Sequence, residues 1–258
     1  MDHTLGARVA VISGASAGIG RAVALDLAAA GAVVVVNARR SGPLEELARN
    51  LGAKAAAVAG DCADDSVIAR MLDAALALAG REANLVVVNA GRGLHGSSLT
   101  SNPAEWEEMM RTNVLGVARL IRAAGHRMLI ASGSKSGTGV GTPPRDIIVI
   151  GSVVGRHVSP FSSMYGATKF AVHGLVEGTR RELGPKGIRV TLIEPGFVES
   201  EFQGVAGYDP AWVNEMFDRI GPVLKPQDVA RMIAFVASQP LHVHVSDILV
   251  RPTRQDYP

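Results

Sequence analysis

The 258-residue chain contains a single cysteine, Cys62, so no disulfide can form within it and the redox compartment stays open. It lacks an excess of charge of either sign: charged residues make up 19% and the formal net charge is +2. That balance disfavours disorder and gives no strongly basic patch of the kind that binds nucleic acid. No stretch approaches the ~18–20 uncharged apolar residues that a membrane span requires. The opening Met1-Asp2-His3-Thr4-Leu5-Gly6 has neither a basic segment nor an apolar run, so no secretory signal is expected there. No His/Cys/Asp cluster has metal-ligand spacing, and no catalytic metal is expected. What these absences leave is a soluble, cytoplasmic protein whose partners are neither nucleic acid nor membrane.

What is present is alternation. Short β-branched runs at 8–13, 33–37, 54–58, 85–88, 146–151, 189–193 and 247–250 are separated by helical patterns at 18–30, 43–51, 65–79, 103–128, 162–183 and 226–237. Strands as continuously apolar as Val33-Val34-Val35-Val36 suit a parallel sheet covered on both faces. The alternation predicts an α/β fold: one doubly wound, Rossmann-type domain over residues 1–258, with a mostly parallel seven-stranded sheet and helices on both faces. Two segments break the pattern. Residues 132–145 are rich in Gly, Ser, Thr and Pro and predict a surface loop. Residues 197–224 follow the carboxyl end of a strand, with a helix start at Asp209-Pro210, and predict a substrate lid.

The first strand runs into Ser13-Gly14-Ala15-Ser16-Ala17-Gly18-Ile19-Gly20, and a helical pattern follows at once. Glycines at 14, 18 and 20 let the turn tighten and let backbone N–H groups approach a pyrophosphate at the positive end of the helix dipole. Further on, Tyr165 and Lys169 are four residues apart in a helical stretch, which puts them on one helix face. A free tyrosine, with a pKa of ~10, is a poor acid or base at neutral pH. An adjacent ammonium favours the phenolate, so the pair can form a proton relay.

Six features occur in sequence order: Gly-x-x-x-Gly-x-Gly from Gly14, Asn89-Ala90-Gly91, Asn113, Ser152, Tyr165-Gly166-Ala167-Thr168-Lys169 and Pro195-Gly196. Together they resemble the short-chain dehydrogenase/reductase (SDR) family over essentially the whole chain. There are departures: Ser13 and Ser200 stand where the family has Thr, Val88 replaces an Asn, and the 132–145 segment is longer than usual.

The resemblance implies a hydride transfer between a nicotinamide and an alcohol or ketone carbon of a small molecule. It gives Tyr165 the role of general acid or base and makes Lys169 its pKa-lowering neighbour and ribose ligand. Ser152 would hold the substrate oxygen, and Asn113 a water on the proton route. Gly14, Ser16, Gly18, Ile19, Gly20, Asn89, Ala90 and Gly91 would lie along the coenzyme, and Pro195, Gly196, Val198 and Ser200 would meet its carboxamide. Asp61 would contact the adenine amino group with Cys62 flanking the ring; on spacing alone Asp61 serves equally as a cap for the helix near Asp64.

The second strand ends in Asn37-Ala38-Arg39-Arg40, with neutral Ala38 where NAD enzymes of the family carry an acid. A guanidinium binds a 2′-phosphate through a charge-assisted fork, so NADP(H) is the expected coenzyme, with Arg39 first and Arg40 second; the plainer reading is a solvated arginine pair.

Substrate contacts are expected from 92–95, 153–161 and 197–224. Arg156 or His157 would meet an acidic substrate or else form a solvated loop pair. The terminal residues 246–255 look like a subgroup acting on 3-hydroxy acids, although that similarity is expected to lie far from the chemistry. The helices carrying Asn113 and Tyr165 imply a homodimer or homotetramer. A 3-oxoacyl-thioester reductase and a non-catalytic NADP-sensing interaction protein are the alternatives.

Overall fold

Seven short strands pair in parallel in the order β3-β2-β1-β4-β5-β6-β7. They are β1 (Val9–Ile12), β2 (Val33–Ala38), β3 (Ala55–Ala59), β4 (Leu85–Val88), β5 (Arg145–Ile150), β6 (Ile188–Pro195) and β7 (Asp247–Val250). The computed structural model describes residues 5–132, 143–157 and 159–256. From β1 the chain steps outward to β3, then returns past β1 to start β4 on the other side. The connections that leave the carboxyl ends of β1 and β4 therefore run to opposite sides, which is where open α/β sheets take their ligands.

Period-2 alternation sends successive strand residues to opposite faces. Ala10, Ile12, Val34 and Val36 pack with α1 (Gly18–Ala29), α2 (Ser41–Leu51) and α9 (Pro226–Ala237). Val9, Val11, Val35 and Val86 pack with α3 (Asp65–Ala79), α5 (Val117–Ser132) and α6 (Ser163–Leu183). Both faces being covered explains why the strands read as unbroken apolar runs. At the opposite end from the ligand crevice, Asp146 is buried between Arg8 and Arg189, with Arg189 Nε 2.6 Å from its carboxylate.

One predicted helix differs. Residues 103–128 form a 3₁₀ turn (Pro103–Glu105), α4 (Trp106–Met110) and a π-helical stretch (Arg111–Gly116) before α5. The wide turn carries Asn113, whose amide bonds sideways to groups outside its own helix. Such widened turns are rare and occur often at functional positions.

Most of the expected 132–145 loop falls on residues 133–142, outside the described residues; Ser132 ends α5 and Arg145 already belongs to β5. After β6 the chain leaves the sheet and comes back on itself. Glu199 N–H donates to Leu224 O (2.8 Å), and Leu224 N–H to Phe197 O (3.1 Å). Between these points lie α7 (Phe202–Val205) and α8 (Pro210–Ile220). Asp209 caps α8 by accepting from Ala211 N–H at 2.9 Å, with Pro210 at the first helical position. No helix among the described residues is long and apolar enough to cross a membrane.

Candidate active site

The turn after β1 is built around backbone contact. Gly14 and Gly18 have φ of +67° and +54°, a region that only glycine enters freely. A Cβ on Gly14 would lie 2.8 Å from Ala90 Cα; one on Gly20 would press into Gly14 O and lie 2.6 Å from Asn89 Nδ2. The Ser13 hydroxyl accepts from Asn89 N–H (3.0 Å) and Ala90 N–H (3.1 Å), tying the end of β1 to the end of β4. Asn89 Nδ2 returns bonds to the carbonyls of Ser13 and Gly14. No side chain caps α1 at Ala17, so its first N–H groups face the crevice without an internal partner. A cradle that a Cβ would fill, with free helix N–H groups above it, fits a pyrophosphate.

Farther along the strand ends, Ala38 is buried, and Arg39 and Arg40 reach into solvent. Arg39 lies 3.5 Å from Glu108, and Arg40 bonds Ser16 Oγ (3.3 Å) and Glu201 (2.9 Å). Asp61 accepts from Ala63 N–H (2.9 Å) and pairs with Arg111, which also holds Asp64. Burial would raise the Asp61 carboxyl, but the Ala63 N–H and Arg111 outweigh it and hold it below the usual range. Asp61 caps the turn at Ala63; Asp64 occupies the N-cap of α3 without a side-chain bond to the helix's own N–H groups. Burial, then the charge of Asp61, pushes the Cys62 thiol up to about 11, so it stays protonated at neutral pH.

Across the crevice, Ser152 follows β5 and caps the 3₁₀ turn Val153–Gly155 by accepting from Val154 N–H at 3.4 Å. Tyr165, in the first turn of α6, is buried, with the Ser152 side chain near its phenol. Lys169 lies one turn on: its Nζ donates to Ile150 O (2.9 Å) and sits 5.8 Å from the centre of the Tyr165 ring. The sequence argument expects the ammonium to lower the phenol, but burial dominates. It drives the Tyr165 phenol well above its usual value against the opposing effect of Ser152, and it lowers Lys169 to about 8.

Asn113 stands behind this pair. Its Oδ1 accepts from Arg92 N–H (2.8 Å), while its Nδ2 donates to Arg92 O (2.8 Å) and Thr168 Oγ1 (3.0 Å). It thus ties the segment after Gly91 to α6 at the residue before Lys169.

One cavity of about 320 Å³ has Gly14, Gly18, Ile19, Asn89, Ala90, Gly91, Ser152, Tyr165, Lys169, Pro195, Gly196, Val198 and Ser200 in its wall. Gly20 and Asn113 stand behind that wall. Outside that wall, Ser16 lies in the turn after β1, Arg39 and Arg40 follow β2, and Asp61 and Cys62 follow β3. Among the described residues, no group of three or more His, Cys, Asp or Glu is placed to hold a metal ion.

Two expectations are corrected. The C-terminal segment does not lie far from the cavity: Gln255 is buried in its wall, and its Oε1 accepts from Phe197 N–H at 2.9 Å. A Cβ on Gly196 would collide with that oxygen unless the Gln255 side chain moved. A lone Gln after the last strand carries no sequence signal of this kind. Arg156 neither faces the cavity nor stands free in solvent; it forks onto Glu194. An acid inside the apolar run Leu192-Ile193-Glu194 was the available clue that a buried cation partner existed.

The fold agrees with comparison to known proteins. Residues 8–209 match the short chain dehydrogenase family model, and the chain belongs to that family of oxidoreductases. It is 30% identical over 245 residues to an uncharacterised oxidoreductase of Staphylococcus epidermidis, covering 95% of this chain and 97% of that one. It is 32% identical over 246 residues to one from Staphylococcus aureus, with the same shares.

Among solved structures, it superposes with TM-score 0.83 on a 3-ketoacyl-(acyl-carrier-protein) reductase of Brucella melitensis complexed with NADH (27% identity; 96% of this chain, 98% of that). An alcohol dehydrogenase of Thermococcus sibiricus complexed with 5-hydroxy-NADP gives 0.80 (26%; 97% and 99%). The closed form of a serine dehydrogenase complexed with NADP+ gives 0.82 (28%; 96% of each).

Proposed function

We propose that the protein is an NADP(H)-dependent oxidoreductase interconverting an alcohol and a ketone or aldehyde of a small molecule. The observation that carries this reading is the convergence of Ser152, Tyr165 and Lys169 with the glycine cradle on a single cavity. Gly14, Ser16, Gly18, Ile19 and Gly20 hold the pyrophosphate, Asn89, Ala90 and Gly91 line the path beside it, and Pro195, Gly196, Val198 and Ser200 border the carboxamide. When bound, the coenzyme supplies or accepts the hydride and, oxidised, brings a positive charge beside the phenol.

Ser152 Oγ bonds the substrate oxygen and stabilises charge on it. Tyr165 gives that oxygen its proton in reduction and takes it back in oxidation. A phenol driven up by burial is protonated at neutral pH, the form that a proton donor needs. Lys169 binds the coenzyme ribose and passes the proton onward; Asn113 fixes the Arg92 peptide against α6 and supports a water on that route.

NADP(H) is favoured over NAD(H) by Ala38, which puts no carboxylate at the end of β2, and by Arg39 and Arg40, whose partners are exposed acids that a phosphate can replace. Asp61 and Cys62 border the adenine. The whole chain acts as one domain, with 197–224 as its lid: Phe202 packs on Tyr165 at 5.5 Å between ring centres, and Glu201 reaches Arg40 across the crevice. Met110, Leu115 and Phe170 are apolar and exposed on α4, the π-helical stretch and α6, which supports a homodimer or homotetramer.

The test is a panel of ketones, aldehydes and alcohols, free and carrier-bound, followed by absorbance of the reduced coenzyme. Turnover of free compounds supports the reading. Turnover restricted to carrier-bound substrates favours a 3-oxoacyl-thioester reductase, and coenzyme binding without any turnover favours a nucleotide sensor.

A further inference from the structure

The part of the cavity beyond Ser152 and Tyr165 is made of rings and hydrocarbon. Tyr208 and Trp212 stack at 5.4 Å with only 19° between their planes, and His95 holds the Tyr208 ring edge-on at 5.0 Å. At the rim, Phe161 and Val205 are 57% and 63% exposed, an apolar lip left in water around an open cleft. Removing such surface from water is favourable, so a ligand able to cover the lip gains from it.

Charge is scarce in the same wall. Among the described residues, its charged side chains are Arg92, Lys169 and Glu201. Arg92 is paired with Glu105 and Glu201 with Arg40, while Lys169, held by Ile150 O, is committed by the oxidoreductase reading to the coenzyme ribose. The hydroxyls of Ser159 and Ser162 bond each other at 3.0 Å. From the C-terminal segment that resembles a 3-hydroxy-acid subgroup, Gln255 is the residue in the wall. It brings no charge, and its oxygen is taken by Phe197 N–H. A substrate carboxylate would therefore have to compete with Glu105 for Arg92, whose side chain is far less exposed than those of Arg39 and Arg40, or lie unpaired in a largely apolar cleft, which is costly.

We infer that the substrate is an uncharged ketone or aldehyde (or its alcohol) bearing a bulky aromatic group on the carbonyl side chain, which lies against Trp212 and Tyr208 beneath the Phe161–Val205 lip. This deepens the oxidoreductase reading and rests on it. With the carbonyl oxygen at Ser152 and Tyr165, the aromatic group points toward α8.

The test compares propiophenone with 3-oxobutanoate, each with NADPH, in the native chain and in Trp212→Ala. The native chain is expected to favour propiophenone in kcat/KM by about tenfold or more, and Trp212→Ala to lose about tenfold for propiophenone, mainly in KM. A second readout needs no turnover: in Trp106→Phe, Trp212 is the one tryptophan left, and propiophenone should quench its fluorescence saturably while 3-oxobutanoate does not. Preference for 3-oxobutanoate, or a propiophenone KM unmoved by Trp212→Ala, overturns the inference and leaves the oxidoreductase reading standing. Reduction of neither ketone with saturable quenching by propiophenone supports the pocket and overturns the chemistry assigned to Tyr165. Neither turnover nor quenching overturns the pocket.

Discussion

Arg156 lays its Nε and a terminal nitrogen on the two carboxylate oxygens of Glu194, at 2.5 and 2.6 Å. Arg156 belongs to the loop that carries Ser152, and Glu194 is the fully buried penultimate residue of β6. The His173 ring packs into the space left by Gly151, where a Cβ would lie 2.7 Å from its Nε2, and its Nδ1 is 3.5 Å from the same carboxylate. The loop presenting Ser152 is thus clamped to the strand that leads into Pro195 and Gly196.

Arg156→Ala leaves a buried carboxylate with little compensation and is expected to cost roughly 2–4 kcal/mol, less than a fully dry pair because the guanidinium is half exposed. Arg156→Lys keeps the charge without the fork and should fall between. Urea unfolding of the three proteins checks the order; an Arg156→Ala chain as stable as the native one would show the clamp to be dispensable.

Lys169 gives a pH signature. Its folded pKa is lowered to about 8 by burial, whereas in the unfolded chain it titrates near ~10.4. Between these values the unfolded state holds the extra proton, so stability from this group rises with pH. Below about 8 both states are protonated and the cost of the buried ammonium is present in full. The unfolding free energy of the native chain minus that of Lys169→Met should rise by on the order of 2–3 kcal/mol from about pH 7.5 to about pH 10. A flat difference would contradict the lowered value.

Coenzyme choice is tested at the end of β2. Arg39→Ala should weaken NADPH by roughly tenfold or more and change NADH by less than about twofold, since the lost bond is a charge-assisted one to phosphate. Glu108→Gln, which frees Arg39 from its acidic neighbour, should tighten NADPH. Isothermal titration with both coenzymes decides. Equal losses for the two after Arg39→Ala would remove the assignment.

The cradle is tested by glycines that differ only in surroundings. Gly20→Ala forces a methyl group against Gly14 O and Asn89, whereas Gly42→Ala, in α2, meets nothing within 4 Å. Dinucleotide affinity should drop by about tenfold to a hundredfold in the first. In the second it should be unchanged, with stability rising by ~0.5–1 kcal/mol. Unaltered affinity in Gly20→Ala would mean that the turn is not where the pyrophosphate sits.

Much of the fold was legible because burial on both faces favours apolar residues at successive strand positions: Val33-Val34-Val35-Val36 and Leu85–Val88 announce themselves. Glycines also speak locally, since a backbone-to-backbone approach at Gly14 needs no distant partner to be recognised. Less legible were features that depend on residues far apart in sequence. The π-helical turn at Asn113 is tied to Arg92 and Thr168, neither of which a local period registers. Asp146 and Arg189 lie in strands read as apolar and Arg8 just before one, and only their meeting makes each buried charge tolerable there. Gln255 enters the cavity wall because β7 aims the C-terminal residues at Phe197. The raised Tyr165 phenol required knowing that burial exceeds the opposing effect of Ser152.

The most direct measurement is single-turnover reduction by Tyr165→Phe, with NADPH affinity measured on the same preparation. Phenylalanine keeps the ring packed on Phe202 and removes only the hydroxyl. The rate of the chemical step is expected to fall by about 10²–10⁴-fold with NADPH affinity within about twofold of native. Undiminished turnover would contradict the assignment of the proton to this phenol.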